Sequence, residues 1–238
     1  MELIVLGSSS KGNGYILDDG KEALIIECGI NIREAKKALG FDTRKVAGCV
    51  VSHQHGDHAG HIEKYADLFY TLALPDVWKA KGYRGNRAIA VEAGKSYRLG
   101  RFVAMPFSLE HDVPCVGYLI QHPSMGLMVF ATDTCRLDYT IPGLNHVLIE
   151  CNYSVEALRK AIEEGRTDQS QVARLAKSHL EFASTKAFLG RSDLSNVSEV
   201  VLIHLSGNNA DEGRFVSEIQ AMTGKPTYAA KPGMRLEL

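Results

Sequence analysis

The 238-residue sequence predicts an α/β protein, a layered sandwich of mixed strands with helices on both outer faces. Three observations carry that reading. The N-terminal segment is a meander of short apolar runs split by turns, the middle is strand-rich again, and beyond Glu150 amphipathic helices alternate with apolar strands. Helices in that order pack onto the faces of a sheet, because each element has one apolar side to bury.

In the first segment Leu3–Leu6, Tyr15–Leu17, Ala23–Glu27 and Val46–Ser52 read as strands. The glycine- and serine-rich stretch from Gly7 to Gly14 reads as too flexible for a strand interior, and Asp18-Asp19-Gly20 as a hairpin turn. Helix periodicity follows at about 31–39 and about 58–69. Strands are expected at Ala88–Val91, Arg101–Leu109, Val116–Gln121, Leu127–Thr132 and Val147–Glu150. Ser154 then supplies an N-cap for a helix whose Val155, Leu158, Ala161 and Ile162 share one face until Gly165 stops it. Helical segments at about 169–177 and 184–189, a strand at Val200–Ile203, a helix near 212–222 and a strand at Thr227–Ala229 complete the series. No Pro/Gly/Ser-rich linker, low-complexity tract or internal repeat interrupts it, so residues 1–238 are expected to form one domain.

Composition excludes several classes. With 45% hydrophobic and 23% charged residues the chain is neither disordered nor fibrous. Lys+Arg 27 against Asp+Glu 28 gives a formal net charge of -1, so no bulk field attracts nucleic acid or an anionic membrane, and binding must be local. No apolar run approaches the roughly 18 residues of a membrane span, and the N-terminus lacks a signal peptide's basic region, so no membrane association and a cytoplasmic location are expected. The five cysteines, at 28, 49, 115, 135 and 151, show no paired spacing and read as reduced core thiols.

Four of the nine histidines, His53, His55, His58 and His61, fall within nine positions, directly after an apolar strand. In His53-Gln-His55-Gly-Asp57-His58 the loop can turn His53 and His55 to one point while Asp57 and His58 face another. Imidazole and carboxylate together suit Zn²⁺ or Mn²⁺. A surface loop with Asp57 as helix cap would account for one residue and not four. Three further ligand types end apolar runs: His111, Asp133 and His204. His122 and His146 flank turn residues and read as solvated or locally satisfied, and His61 as a surface helix residue.

This constellation closely resembles the metallo-β-lactamase superfamily, over nearly the whole chain, the opening Ser8-to-Asn13 stretch and Glu27-Cys28-Gly29 included. The resemblance implies a four-layer αββα sandwich with two divalent metal ions, Zn²⁺ or Mn²⁺, at one edge of the sheets. It assigns His53, His55, His111 and a bridging Asp133 to one ion, and Asp57, His58, Asp133 and His204 to the other. The best-known β-lactamases carry cysteine where Asp133 stands; a bridging carboxylate favours a symmetric centre suited to phosphodiesters. Glyoxalase II shares the ligand set, but the cationic C-terminal helical region of that family is not apparent.

Val147-to-Asn152 and Ser178-His179-Leu180 resemble the Glu and His motifs of RNase Z and of the WalJ-like (YycJ-like) nucleases, and His204-to-Asn209 resembles the WalJ-like form of the last motif. Ser178 stands where the resembled motif has glycine, and Glu27 where the superfamily generally has aspartate. The implied activity is a DNA exonuclease in which a metal-bridging hydroxide attacks phosphorus. Asp57, Glu150 and His179 are the implied catalytic residues, His179 being the general acid oriented by Glu150. An RNase Z-like ribonuclease, a small-nucleotide phosphodiesterase and a thioester or lactone hydrolase of the same fold are the alternatives. For substrate contacts, Lys79, Lys81, Arg84 and Arg87 interleave with Trp78 and Tyr83, a pattern suited to single-stranded nucleic acid or a strand end. Ser206, Asn208 and Asn209 are further phosphate-contact candidates.

Overall fold

The chain folds, in a computed structural model that describes residues 1–238, into two seven-stranded sheets packed face to face. Along the first sheet lie β14 (Arg235–Glu237), β1 (Glu2–Ser9), β2 (Gly12–Asp18), β3 (Ala23–Ile26), β4 (Val46–Val50), β5 (Thr71–Ala73) and β6 (Ala88–Ala90). Along the second lie β13 (Thr227–Ala229), β12 (Glu199–Ile203), β11 (His146–Glu150), β10 (Gly126–Ala131), β9 (Cys115–His122), β8 (Phe102–Leu109) and β7 (Tyr97–Leu99). Each sheet is half parallel and half antiparallel: β3 to β6 run parallel in one, β10 to β13 in the other.

Strand alternation divides the apolar side chains between three cores. Leu24, Ile26, Val50 and Leu72 from the first sheet meet Phe102, Tyr118, Phe130 and Val201 from the second in the central core. The odd-face partners Ile25, Cys49 and Val51 pack outward against α1 (Ile32–Ala38), α3 (Ile62–Ala66) and α4 (Pro75–Lys81). On the other side Val129, Val147, Ile149 and Leu202 pack against α7 (Phe182–Arg191) and α8 (Glu212–Thr223). Strands buried on both faces read as continuous apolar runs, which is why β3, β4, β11 and β12 were visible in sequence. The four-layer αββα sandwich is therefore borne out.

Differences are local. Gly7 to Gly14 lies in strands β1 and β2 apart from the turn at Ser10-Lys11, because glycine serves close approach there and not flexibility. A Cβ on Gly7 would stand 2.6 Å from the Gly12 carbonyl oxygen and 2.6 Å from Ile30 Cδ1. The helix expected at 58–69 is two short ones, α2 (Gly56–Ala59) and α3, broken where Gly60 lies 2.3 Å, at its Cβ position, from the Gly56 carbonyl. The remaining helices, α5 (Val155–Glu163) and α6 (Val172–Ser178), fall where periodicity put them. Of the five cysteines, Cys135 is only half-buried; the other four are core thiols. His122 and His146 are buried and locally bonded, His122 to Ser124 and Glu22, His146 to Glu199 and the Met125 carbonyl.

Candidate metal centre

The two parallel halves bring their carboxyl ends to one edge of the sandwich. There β4 delivers the loop His53 to His58, β8 ends before His111, β10 before Asp133, β11 at Glu150, and β12 before His204. Backbone geometry turns these residues inward: Glu27, Asp133 and His204 have φ of 67°, 47° and 54°, and each follows a strand end. Non-glycine residues in this region cost about 1–3 kcal/mol each, a strain that surrounding structure must hold.

The side chains form two sets sharing Asp133. His53, His55, His111 and Asp133 form one; Asp57, His58, Asp133 and His204 the other; in each, the potential ligand atoms all lie within 4.8 Å of one another. Asp133 Oδ2 is 3.8 Å from both His53 Nε2 and His111 Nε2, and its Oδ1 is 3.3 Å from His58 Nε2 and 3.7 Å from His204 Nε2. Asp57 Oδ2 is 3.3 Å from His58 Nε2 and from His204 Nε2. Nitrogen ligands about 2.0–2.1 Å from a tetrahedral ion stand roughly 3.3 Å apart, so these spacings leave each set room for one cation.

Two further observations fit metal ions to this centre. Two far ring nitrogens are already held, as Ser52 Oγ lies 2.9 Å from His53 Nδ1 and His111 Nδ1 donates to the Ser178 carbonyl at 2.9 Å; His58 Nδ1 faces Glu27 Oε1 at 3.4 Å without a hydrogen bond. Such partners fix ring orientation and leave the other nitrogen for a metal. His53 Nε2, buried and aimed into the centre, has no hydrogen-bond partner at all. The charge is also unbalanced. Burial opposes protonation of His204, yet Asp133, Asp57 and Glu150 push its pKa up to about 10, and Asp133 and Glu27 raise His58 against the same burial. The His58–His204 side thus draws protons onto buried imidazoles and holds negative charge that cations would neutralise, while burial keeps His53 and His111 below the ordinary imidazole value.

Beside the ligand sets, Glu150 is fully buried and its carboxylate is bonded on every side. Oε1 lies 2.7 Å from His179 Nδ1 and 3.3 Å from His204 Nδ1, while Oε2 accepts from the backbone of Thr134 at 3.1 Å and Leu180 at 3.0 Å. Burial disfavours the His179 cation, but the Glu150 carboxylate outweighs it and holds the imidazole above its ordinary value. The His179 ring stacks on that of His204, 5.3 Å between centroids. The pair expected from the sequence is thus in contact and adjoins the centre.

Other expected site residues fare differently. Ser206, Asn208 and Asn209 do line a cleft of about 620 Å³ next to the centre. Two of them are committed to holding their own loop: Asn209 Oδ1 accepts from Thr167 Oγ1 at 2.7 Å and Asn208 Nδ2 donates to the Arg166 carbonyl at 3.0 Å. The basic stretch does not reach the site, correcting the expectation for Lys79, Lys81, Arg84 and Arg87. Helix α4 starts at the site edge and runs away from it, so the stretch leads into the opposite end of β6, where Thr71 N donates to the Arg87 carbonyl at 2.9 Å. Trp78 is buried with its Nε1 on the Ile89 carbonyl, and Arg87 and Tyr83 both bond to Asp67. His61 begins α3 outside both ligand sets.

Some site residues escaped sequence reading. Asn13, buried in the β1–β2 hairpin, donates to the Asp57 carbonyl at 3.3 Å and lies 3.0 Å from His58 Nε2. Asn152 donates to the His204 carbonyl at 2.8 Å. Asp112 Oδ1 lies 3.0 Å from His111 Nε2 and 3.4 Å from His55 Nε2. Asn13 and Asn152 left a trace, each closing a stretch that carries the resemblance, Ser8 to Asn13 and Val147 to Asn152, though the resemblance assigns no role to either; Asp112 left none.

The two half-parallel sheets with a shared-carboxylate His/Asp centre at their carboxyl edge define a metallo-β-lactamase-fold protein. The chain is similar in structure to the metallo-β-lactamase-fold protein YhfI from Bacillus subtilis, with a TM-score of 0.71, 17% identity and 99% of each chain covered. It is similar also to Zn²⁺-bound PqqB from Methylobacterium extorquens, with a TM-score of 0.74, 12% identity and 100% of each chain covered. Its curated homologues over most of the chain are exodeoxyribonucleases: YycJ of Bacillus anthracis, 25% identical over 93% of this chain and 89% of the relative, and WalJ of Streptococcus pneumoniae serotype 2, 25% identical over 86% and 81%. The family described as anti-Pycsar protein Apyc1 matches residues 3–73, from β1 to β5. The WalJ-like resemblance read from the motifs is borne out by these relatives.

Proposed function

We propose that the protein is a divalent-metal-dependent phosphodiesterase acting as a DNA exonuclease. The observation that carries this reading is the Glu150–His179 pair, 2.7 Å apart and adjoining two ligand sets that share Asp133. The names of the YycJ and WalJ relatives support the same chemistry. Bound in the two sets, a pair of Zn²⁺ or Mn²⁺ ions would supply an activated water and neutralise charge developing on the phosphoryl group. Asp57, His58 and His204 hold one set in shape and His53, His55 and His111 the other, with Asp133 between them. A phosphodiester's alkoxide is a poor leaving group and needs a proton. His179 gives that proton, and the buried Glu150 carboxylate keeps its ring oriented and charged. A thioester's thiolate leaves without such an acid, and this favours the phosphodiesterase over a thioester hydrolase.

The test is incubation of 5′- and 3′-labelled single-stranded DNA, duplex DNA and RNA with the protein, with Zn²⁺, Mn²⁺ or chelator. Metal-dependent stepwise shortening of DNA is expected; preference for RNA, or turnover of thioesters alone, would overturn the reading. For the general acid, His179→Ala should lower DNA cleavage by about 10²-fold or more. Its effect on bis(p-nitrophenyl) phosphate, whose leaving group needs no proton, should be far smaller, and equal losses would remove the role.

A further inference from the structure

The cleft beside the metal centre carries no carboxylate on its wall. Its only Lys or Arg side chains are Lys11 and Arg174; the rest of the lining is hydroxyls, amides, glycine, two leucines and the site histidines His179 and His204. Lys11 sits at the tip of the β1–β2 hairpin and Arg174 on α6, both exposed, so the two cations come from the opposite halves of the sandwich. A smaller cavity of about 180 Å³ lies directly over Asp57, His111 and Asp133, and Arg174 is the one Lys or Arg on its wall. Cavity and cleft share Ser10, Arg174, His179 and His204 and so adjoin. Neither Lys11 nor Arg174 is paired with a carboxylate, whereas Lys45 is held by Asp18 at 2.6 Å and Arg101 by Glu22 at 3.1 Å.

An acid-free wall with two unneutralised cations and many N–H and O–H donors is complementary to a polyanion. No Phe, Tyr or Trp lines it, and its only rings are the site histidines His179 and His204, so it offers no stacking platform for bases along the strand. We propose that this cleft is the groove for the nucleic acid strand, in which Arg174 binds the phosphate next to the one cleaved and Lys11 a phosphate further along. The strand is recognised by its backbone and without regard to base sequence. Arg174 reaches both the reacting edge and the cleft, which places it at the first phosphate; Lys11, on the cleft wall alone, takes the more distant one. The cleft's volume, about 620 Å³, is within the range of about 300–1,000 Å³ typical of small-molecule sites, a size that suits a strand end. This proposal rests on the phosphodiesterase reading above.

Its test compares wild type, Lys11→Ala, Arg174→Ala and Arg174→Lys in steady-state cleavage of oligo-dT and mixed-sequence DNA over a range of salt, with bis(p-nitrophenyl) phosphate as a substrate having one phosphate. Each alanine variant should raise KM for the oligonucleotides by about tenfold. The slope of log KM against log salt should fall by about 0.7 for each phosphate contact removed from a single strand. Arg174→Lys should restore part of the loss, base sequence should not change the ratios, and the loss on bis(p-nitrophenyl) phosphate should be smaller than that on DNA. DNA cleavage with KM and salt slope unaltered in both alanine variants overturns the groove and leaves the phosphodiesterase standing. A wild-type protein that hydrolyses no phosphodiester with any metal overturns both.

Discussion

Asp133 shows at the scale of one residue how the chain builds its centre: a φ of 47° after β10 turns the carboxylate so that one oxygen faces each ligand set. Asparagine could keep the turn but not the charge, and alanine keeps neither. Asp133→Ala should abolish tight binding of both ions, read as metal content per chain after gel filtration, and lower hydrolysis by more than about a hundredfold; two ions retained per chain would refute the shared-ligand role. The ligands were legible in the sequence because His53, His55, Asp57 and His58 are chemically unusual residues in a short interval, and His111, Asp133 and His204 each end an apolar run. Arg174 and Lys11 were not legible. An arginine on a seven-residue helix and a lysine in a hairpin are the ordinary furniture of a solvated surface, and only folding puts them on one acid-free wall. The basic run from Lys79 to Arg87 misled for the converse reason: its pattern fits nucleic acid, but α4 carries it away from the chemistry.

At the scale of elements, the β1–β2 hairpin and the loop after β3 hold the His58 segment in place. Asn13 bonds to it from one side, Cys28 N donates to the His58 carbonyl at 2.7 Å, and Gly29 presses on it from beneath. A Cβ at Gly29 would stand 1.7 Å from the Asp57 carbonyl oxygen and 2.8 Å from Asn13 N, both backbone atoms that cannot rotate away. Gly29→Ala should therefore cost about 3 kcal/mol, lower Tm by roughly 6–12 °C and weaken metal binding through the displaced Asp57–His58 segment. Gly190→Ala on α7, where a Cβ would meet nothing within 4 Å, is the control and should leave Tm unchanged or raise it. A Tm for Gly29→Ala equal to wild type would show that the segment has slack. Long apolar strands and amphipathic helices were visible from periodicity. Among the three-residue strands, β6 and β13 were visible but β5, β7 and β14 were not: three residues contain little alternation, and tertiary pairing defines such strands.

At the scale of the molecule, the centre lies on the seam between the sheets. His53, His55, Asp57 and His58 follow a strand of one sheet, and His111, Asp133 and His204 follow strands of the other. Metal ions bound there would join the two halves of the sandwich as well as react. Removing them with chelator should lower Tm by about 5–10 °C, reversibly, as expected for ligands held well above their dissociation constants; a Tm indifferent to chelator and to added Zn²⁺ or Mn²⁺ would argue that the centre is not loaded. The near-zero net charge has a bearing here too, since only the acid-free cleft and the ions would distinguish a polyanion from any other ligand. The single carboxylate common to both sets has a thermodynamic corollary. The ion bound first holds Asp133 ionised and oriented for the second but also repels it across the shared carboxylate, so the two equilibria are linked and each ion changes the other's affinity by the same factor. A sigmoidal loading isotherm would show that the shared orientation outweighs the repulsion, and two separated steps of loading that the repulsion wins.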